Sequence, residues 1–181
     1  MTHTRPLDEE LLRARIVDVS DFPTAGVVFK DISPLLADPH CLVAVVDALA
    51  TSEGPVDKVV GIEARGFILA APVACLIGSG FVPVRKPGKL PGPTHETSYD
   101  LEYGSNVLQV HRDAFSPGER VLVVDDVLAT GGTAAAALRL VQQAGAEVVA
   151  ISVLLELGSL GGRSALAAAH PDVPVHALLS Y

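Results

Sequence analysis

Two adjacent carboxylates and a glycine-rich turn lie close together in the segment Val121–Thr133. Asp125 and Asp126 follow four apolar residues typical of a buried strand, and Thr130-Gly-Gly-Thr133 opens a helical pattern. Glycines let a backbone approach an anion closely, and the unpaired N–H groups of a helix start attract phosphate. Two carboxylates would repel that anion, so they suit vicinal hydroxyls or a hydrated magnesium ion. A phosphate and a diol held side by side describe a ribose 5-phosphate.

Other interpretations of this segment are weaker. An ordinary strand-to-helix turn also contains Asp as a cap and Gly to relieve strain, but it does not need an Asp pair at the strand end. The segment matches neither GxxxxGK[ST] nor GxGxxG, which argues against a P-loop nucleotidase and a dinucleotide site.

A second segment, Val59–Gly66, repeats the order of strand, tight charged turn and helix. Arg65 lies in this turn, and its fork of donors suits the oxygens of a diphosphate. Taken alone, an arginine at such a position would more often form a surface ion pair. The carboxylate pair and glycine turn elsewhere in the chain favour the phosphate role.

A third segment, from Arg85 to Tyr103, is basic at its start and rich in Pro and Gly. A stretch of this length between strands is either a mobile lid, placed at residues 86–103, or a disordered loop. Lys86 and Lys89 bring positive charge to it.

The elements that must position these residues alternate along the chain. Strands are predicted at Lys58–Ile62, Phe81–Val84, Asn106–Val110, Val121–Val124 and Val148–Leu155. Helices are predicted at Leu7–Val19, from an Asp38 N-cap to Ala50, at Phe67–Ile77 and at Thr133–Ala144. This order indicates an α/β fold with a mostly parallel, twisted sheet flanked by helices. Ligands bind such sheets beyond the carboxyl ends of the strands, where the Asp pair falls.

Composition narrows the class of protein. The chain has 181 residues, 49% of them hydrophobic but only 4% aromatic, so one domain with an aliphatic core is expected. A net charge of −8 argues against a nucleic-acid partner and against an anionic membrane surface. The six histidines are scattered and predict no metal cluster.

Two further patterns bear on the compartment. Cys41 and Cys75 lie in apolar helical patterns, which predicts buried free thiols in a reducing cytoplasm. The range Gly66–Val84 is uncharged and long enough to mimic a membrane span. Pro and Gly residues interrupt it, so a helix, a turn and a short strand are predicted instead, and no membrane partner is expected.

The segment Val121–Thr133 closely resembles the motif by which type I phosphoribosyltransferases bind 5-phosphoribosyl-1-pyrophosphate (PRPP). Three further runs narrow the resemblance to the adenine-specific branch of that family, and the match extends from about Arg15 to Arg163. These runs are Asp21–Pro34, Arg85–Tyr103 and Glu156-Leu-Gly-Ser-Leu-Gly-Gly-Arg163.

The resemblance implies a type I phosphoribosyltransferase fold with a small N-terminal base-binding hood, at about residues 8–35, and a mobile lid. It implies transfer of the phosphoribosyl group from PRPP to adenine, giving AMP and pyrophosphate, with Mg²⁺ held mainly by PRPP and water. A homodimer is implied as well. Two alternatives stay open: a phosphoribosyltransferase for a 6-oxopurine or a pyrimidine, and a regulator that only senses PRPP.

The resemblance also implies roles for individual residues. The phosphate loop, which binds the 5-phosphate, comprises Ala129, Thr130, Gly131, Gly132 and Thr133. The pyrophosphate turn comprises Glu63, Ala64, Arg65 and Gly66, with a cis peptide bond after Glu63, and Lys86 and Lys89 assist it. Catalytic roles fall to Arg65, Asp125, Asp126 and Glu102, the last handling the proton of the base. In the hood, Phe29 stacks on adenine while backbone groups of Val28 and Lys30 read its amino edge.

Overall fold

The computed structural model describes residues 8–51, 54–100 and 105–181, which fall into two compact units. The first contains the described residues through Ala48, and the second is Leu49–Tyr181. The predicted hood lies within the first unit. The predicted phosphate loop and pyrophosphate turn lie in the second.

The first unit joins short helices to a two-stranded antiparallel sheet. Its elements are α1 (Glu9–Ala14), β1 (Val17–Ser20), β2 (Val28–Asp31), α2 (Ser33–Ala37) and α3 (Pro39–Leu49). The long helix predicted from Leu7 to Val19 is wrong, because Val17–Ser20 pair with β2 instead of continuing α1. The predicted N-cap is confirmed: the Asp38 carboxylate accepts hydrogen bonds from the backbone N–H groups of His40 and Cys41, at 2.9 and 3.2 Å.

The second unit is built on a five-stranded sheet in the order β4-β3-β7-β8-β9, and every pair in it is parallel. Its elements are β3 (Lys58–Ile62), α4 (Arg65–Ile77), β4 (Gly80–Val84), β5 (Thr94–Asp100), β6 (Ser105–His111), β7 (Arg120–Leu128), α5 (Gly132–Gln143), β8 (Glu147–Glu156), α6 (Gly162–Ala169) and β9 (Val175–Ser180). The predicted parallel α/β sheet is confirmed. Strand β7 is central, and Val121–Val124 are fully buried, as their apolar run predicts.

The order of the strands creates the place for a ligand. From β3 the chain crosses through α4 to β4 on one side, whereas from β7 it crosses through α5 to β8 on the other. The direction of winding therefore reverses between β3 and β7, and such a switch point leaves a crevice at the carboxyl ends of the strands. Gly61 of β3 pairs with Val124 of β7, so the turn after β3 and the carboxylates of β7 lie at the same edge.

Three other predictions meet mixed outcomes. The uncharged range Gly66–Val84 does divide into a helix, a turn and a strand, and no helix among the described residues has the length and apolarity to cross a bilayer. The loop predicted between Lys86 and Tyr103 is wrong over Thr94–Asp100, which forms β5 and pairs with β6. Cys41 is buried as predicted, but Cys75 is exposed on α4.

Candidate active site

The two carboxylates lie inside β7, because this strand continues to Leu128 instead of ending at Val124. The Asp125 carboxylate accepts a hydrogen bond from the backbone N–H of Asp126 at 2.9 Å. A Cβ atom built at Gly66 would lie only 2.6 Å from Asp125 Oδ1. Glycine at this position therefore lets the first turn of α4 pack directly against the carboxylate.

Arg65 compensates the charge of this pair. Its Nη2 atom lies 2.6 Å from Oδ2 of Asp126, whose side chain is only 7% exposed. Burial and then the neighbouring carboxylate of Asp126 raise the pKa of Asp125 well above its ordinary value. Burial also raises the pKa of Asp126, although Arg65 opposes that shift. Burial therefore disfavours the ionised form of both carboxyl groups, and the positive charge of Arg65 partly offsets this effect.

The pyrophosphate turn follows β3 and has the implied cis peptide bond between Glu63 and Ala64. The Glu63 carboxylate accepts hydrogen bonds from Nε of Arg85 and from the backbone N–H of Lys86, both at 3.1 Å. Partial burial opposes ionisation of Glu63, but these two donors outweigh it and lower the pKa of the group. The side chain of Glu63 is therefore engaged with Arg85 and Lys86, so the backbone of the turn is the part available to bind a ligand.

Arg85 joins the pyrophosphate turn to the start of the lid. Beyond its bond to Glu63, its Nη1 donates to the carbonyl oxygen of Lys89 at 3.2 Å, and its guanidinium lies 5.7 Å from the ring centre of Phe67. Its backbone exchanges hydrogen bonds with Gln109, at 2.9 and 2.7 Å. Sequence reasoning assigned Arg85 no role, since a basic run does not reveal which of its members is paired.

The phosphate loop turns through Gly131, whose φ of +87° favours glycine. Helix α5 begins at Gly132, and the Gly131 carbonyl accepts its first helical bond from the N–H of Ala135 at 2.9 Å. The backbone N–H groups of the first turn have no partner within the helix, which is the arrangement that attracts an anion. Thr130 is exposed at this start.

The predicted hood residues lie in the first unit. Phe29 pairs with Val19 across the two strands, and its ring contacts that of Phe22 edge-on, with centres 5.1 Å apart. The Lys30 ammonium is 2.7 and 2.8 Å from the carboxylate oxygens of Asp18. Glu102 lies outside the described residues.

Comparison with known proteins gives a consistent result. Residues 44–166 match the phosphoribosyl transferase domain family. The chain is 65% identical to the adenine phosphoribosyltransferase of Acidothermus cellulolyticus, over 88% of this chain and 91% of that one, and 60% identical to that of Streptomyces coelicolor, over 94% and 95%. The crystal structure of the Rhodothermus marinus adenine phosphoribosyltransferase superposes with a TM-score of 0.89 at 50% identity, over 95% of this chain and 97% of that one. The Saccharomyces cerevisiae structure, complexed with an imino-altritol bisphosphate and adenine, has a TM-score of 0.87 at 38% identity, over 94% and 97%.

Proposed function

The chain belongs to the adenine phosphoribosyltransferases of the phosphoribosyl transferase family, and from this premise we propose how its residues divide the work of the reaction. The reaction transfers the 5-phosphoribosyl group of PRPP to adenine and gives AMP and pyrophosphate. One observation carries the division of roles: the ion pair of Arg65 with Asp126, at 2.6 Å, joins the pyrophosphate turn to the carboxylates of β7. A diphosphate and a ribose can thus be held at one point.

The phosphate loop binds the 5-phosphate through its backbone. The αL turn at Gly131 and the free N–H groups at the start of α5 support this assignment, with hydroxyl donors available from Thr130 and Thr133. Asp125 and Asp126 accept hydrogen bonds from the ribose hydroxyls. As pyrophosphate departs, positive charge develops at C1 of the ribose, and the two carboxylates stabilise that charge.

Arg65, Lys86, Lys89 and the backbone of Glu63–Gly66 bind the pyrophosphate. Asp126 already forms an ion pair with Arg65, and Asp125 accepts a hydrogen bond from the backbone N–H of Asp126, so we assign Mg²⁺ mainly to PRPP oxygens and water. The chemistry a magnesium ion supplies there is neutralisation of diphosphate charge. Glu102 is assigned the proton of the base.

The lid closes over the site once PRPP is bound, because water would quench the developing cation. The exposure of Lys86 and Lys89, between β4 and β5, supports this assignment. Trypsin cleavage after Lys89 should slow several-fold when PRPP and Mg²⁺ are added. Equal rates with and without ligand would contradict closure.

Adenine is read by the backbone of the hood. Val28 and Lys30 are two residues apart on β2, so their backbone groups point to the same edge of that strand. The engagement of the Lys30 ammonium with Asp18 supports a backbone role over a side-chain role. A carbonyl accepts from the 6-amino group and an N–H donates to N1, while Phe29 stacks on the ring.

A comparison of bases tests the proposal. Hypoxanthine presents a carbonyl at C6 and an N–H at N1, so two groups face their like in a desolvated site, each costing about 1–3 kcal/mol. Pyrophosphate release from PRPP should favour adenine over hypoxanthine by about a hundredfold or more in kcat/KM. Lys30→Ala should leave that preference nearly unchanged.

Two results would contradict this assignment. Comparable turnover of both bases would remove the backbone readout and favour a 6-oxopurine enzyme. Collapse of the preference in Lys30→Ala would move the readout to the side chain.

A homodimer forms through the outer face of α4. Ile68, Pro72, Cys75 and Leu76 follow one another at helical spacing on this face, and Ile68 and Leu76 are 48% and 53% exposed. The helix carries no Asp, Glu, Lys or Arg after Arg65. Two copies with a net charge of −8 each repel one another, so an uncharged apolar face is the favourable place for them to meet.

Sedimentation velocity tests this face. Leu76→Asp should convert the dimer to a monomer, whereas Val43→Asp, which adds the same charge at a 61% exposed valine of α3, should not. Dimerisation unaffected by Leu76→Asp would exclude the face.

We also propose that the reaction takes place in the cytoplasm, which is consistent with two free thiols.

A further inference from the structure

The segment Glu156–Arg163, here called the backing segment, packs against the phosphate loop with no side chain between them. A Cβ atom built at Gly162 would overlap the carbonyl oxygen of Ala129 and would lie 2.9 Å from the backbone nitrogen of Gly131. In the other direction, a Cβ atom at Gly131 would lie 2.9 Å from the carbonyl oxygen of Gly162. The two backbones therefore meet through a pair of glycines.

An ion pair between a buried carboxylate and a half-exposed arginine fastens the backing segment. Glu156, the last residue of β8, is only 8% exposed, and both of its carboxylate oxygens accept from Nε of Arg163, at 2.9 and 3.0 Å. Nη1 of Arg163 donates to the carbonyl oxygen of Val175 at 2.6 Å, which ties the segment to β9. The hydrogen bonds to Glu156 raise the pKa of Arg163, as expected for a tight pair.

The other end of the backing segment is tied to the strand that leads into the phosphate loop. The backbone N–H of Leu157 donates to the carbonyl oxygen of Leu128 at 2.9 Å. Leu128 immediately precedes the loop, so the backing segment is anchored to β7, β8 and β9 around the contact with Gly131 and Ala129. Closely packed backbone has little compressibility, so such a contact fixes the position of what lies on it.

Helix propensity does not explain a glycine at this place. Gly162 is the first residue of α6, where alanine would favour the helix. The absence of a Cβ at Gly162 instead allows the close contact with the phosphate loop. Donors that bind an anion are effective when they are held in place before the ligand arrives.

We propose that Gly162 is a positioning residue for PRPP and AMP, and that the pair of Arg163 with Glu156 holds it against the phosphate loop. The proposal rests on the assignment of that loop to the 5-phosphate. Gly162 touches the loop and acts on the ligand only through it.

Gly162→Ala tests this proposal, with Gly158→Ala as its matched control. Gly158 lies in the same segment, but a Cβ there would be at an ordinary distance of 3.5 Å from the carbonyl oxygen of Tyr181. Gly162→Ala should raise the KM for PRPP and the Kd for AMP by about tenfold or more, since small misplacements of binding groups are costly. The KM for adenine should stay within about twofold, and Gly158→Ala should change neither. A merely structural role would lower Tm and leave the KM for PRPP unchanged, which overturns the proposal.

Arg163→Lys decides the matter if Gly162→Ala does not fold. Lysine cannot donate to both oxygens of Glu156 and to Val175 at once, so the KM for PRPP should rise about threefold to tenfold while the chain stays folded. An unchanged KM for PRPP in the folded Arg163→Lys variant would overturn the proposal.

Thr133→Val distinguishes failure of the Gly162 proposal from failure of the assignment of the phosphate loop to the 5-phosphate. The variant removes a hydroxyl of the phosphate loop with little change of shape, so AMP binding should weaken if the loop assignment is right. Weakened AMP binding in Thr133→Val with normal binding in Gly162→Ala overturns only the positioning role. Normal AMP binding in both variants overturns the loop assignment as well.

Discussion

The phosphate loop and the pyrophosphate turn lie at one edge of the same sheet, but different interactions hold them. The phosphate loop rests on backbone packing, through the αL turn at Gly131 and the contact with Gly162. The pyrophosphate turn is held by charged side chains, with Arg65 paired to Asp126 and Glu63 paired to Arg85. The first region is therefore sensitive to volume and the second to charge.

The difference fits the ligands that we propose for the two regions. The 5-phosphate stays on the ribose throughout the reaction, so a fixed backbone site would suit it in substrate and product alike. Pyrophosphate must leave, and groups that already have partners within the protein can return to them. Substitutions that add volume to the first region, or that remove a charge or a charged hydrogen bond in the second, distinguish these two designs.

Gly131→Ala should have the largest effect. It places a Cβ at a φ of +87° and 2.9 Å from the Gly162 carbonyl oxygen, so PRPP affinity should fall by about a hundredfold or more. Calorimetric titration with PRPP and Mg²⁺ measures this. Gly145→Ala is the control, since it has a similar φ of +83° but its nearest atom is 3.9 Å away. If Gly131→Ala bound PRPP within about threefold of the wild type, added volume at this position would not disturb the phosphate loop.

Asp126→Asn comes next, and it changes charge with almost no change of volume. The amide can still hydrogen-bond the ribose but no longer stabilises positive charge at C1, so kcat should fall by about 10² while PRPP affinity falls less. Asp125→Asn should act in the same direction. Steady-state kinetics combined with direct PRPP titration separates the two quantities. A change confined to KM would mean uniform binding in place of transition-state stabilisation.

Arg85→Lys should have a smaller effect. Lysine keeps the charge but cannot bond Glu63 and the Lys89 carbonyl together, so the inhibition constant of pyrophosphate should rise about threefold to tenfold. Arg13→Lys, at the exposed pair with Glu9, is the matched control and should change nothing. If AMP binding weakened as much as pyrophosphate binding, the two regions would not be independent.

The smallest effect is on stability and depends on pH. Burial raises the pKa of Asp125 above its ordinary 3.8, so the folded chain holds this proton more tightly than the unfolded chain. The stabilisation of the fold by protonated Asp125 is complete below pH 3.8 and is lost as the pH rises through the raised pKa of the folded state. Asp125→Asn should therefore have a higher Tm than the wild type at pH 8, with the difference closing towards pH 4. If the Tm difference between Asp125→Asn and the wild type stayed constant across this range, ionisation of Asp125 would not destabilise the fold.

The sequence predicts the local secondary structure around the candidate site well. Val121–Thr133 contains its own strand, turn and helix start, and each depends on neighbours within a few residues. The carboxyl edge of the sheet could also be predicted, because parallel strands linked by helices bring their carboxyl ends together.

Contacts between distant segments could not be predicted. Thr94–Asp100 is polar and has no apolar alternation, and only its pairing with β6 makes it a strand. Val17–Ser20 continues the helical pattern of α1, but its pairing with β2 prevails. Gly162 and Arg85 show their roles only through residues far along the chain.

The exposed thiol of Cys75 has a practical consequence. The chain contains only two cysteines, and burial raises the pKa of the Cys41 thiol, which slows its reaction with electrophiles. Iodoacetamide at limiting concentration should therefore alkylate Cys75 before Cys41 wherever α4 is uncovered. Because Cys75 lies on the face proposed to join two copies, its alkylation should be slow in the dimer and fast in the monomeric Leu76→Asp variant.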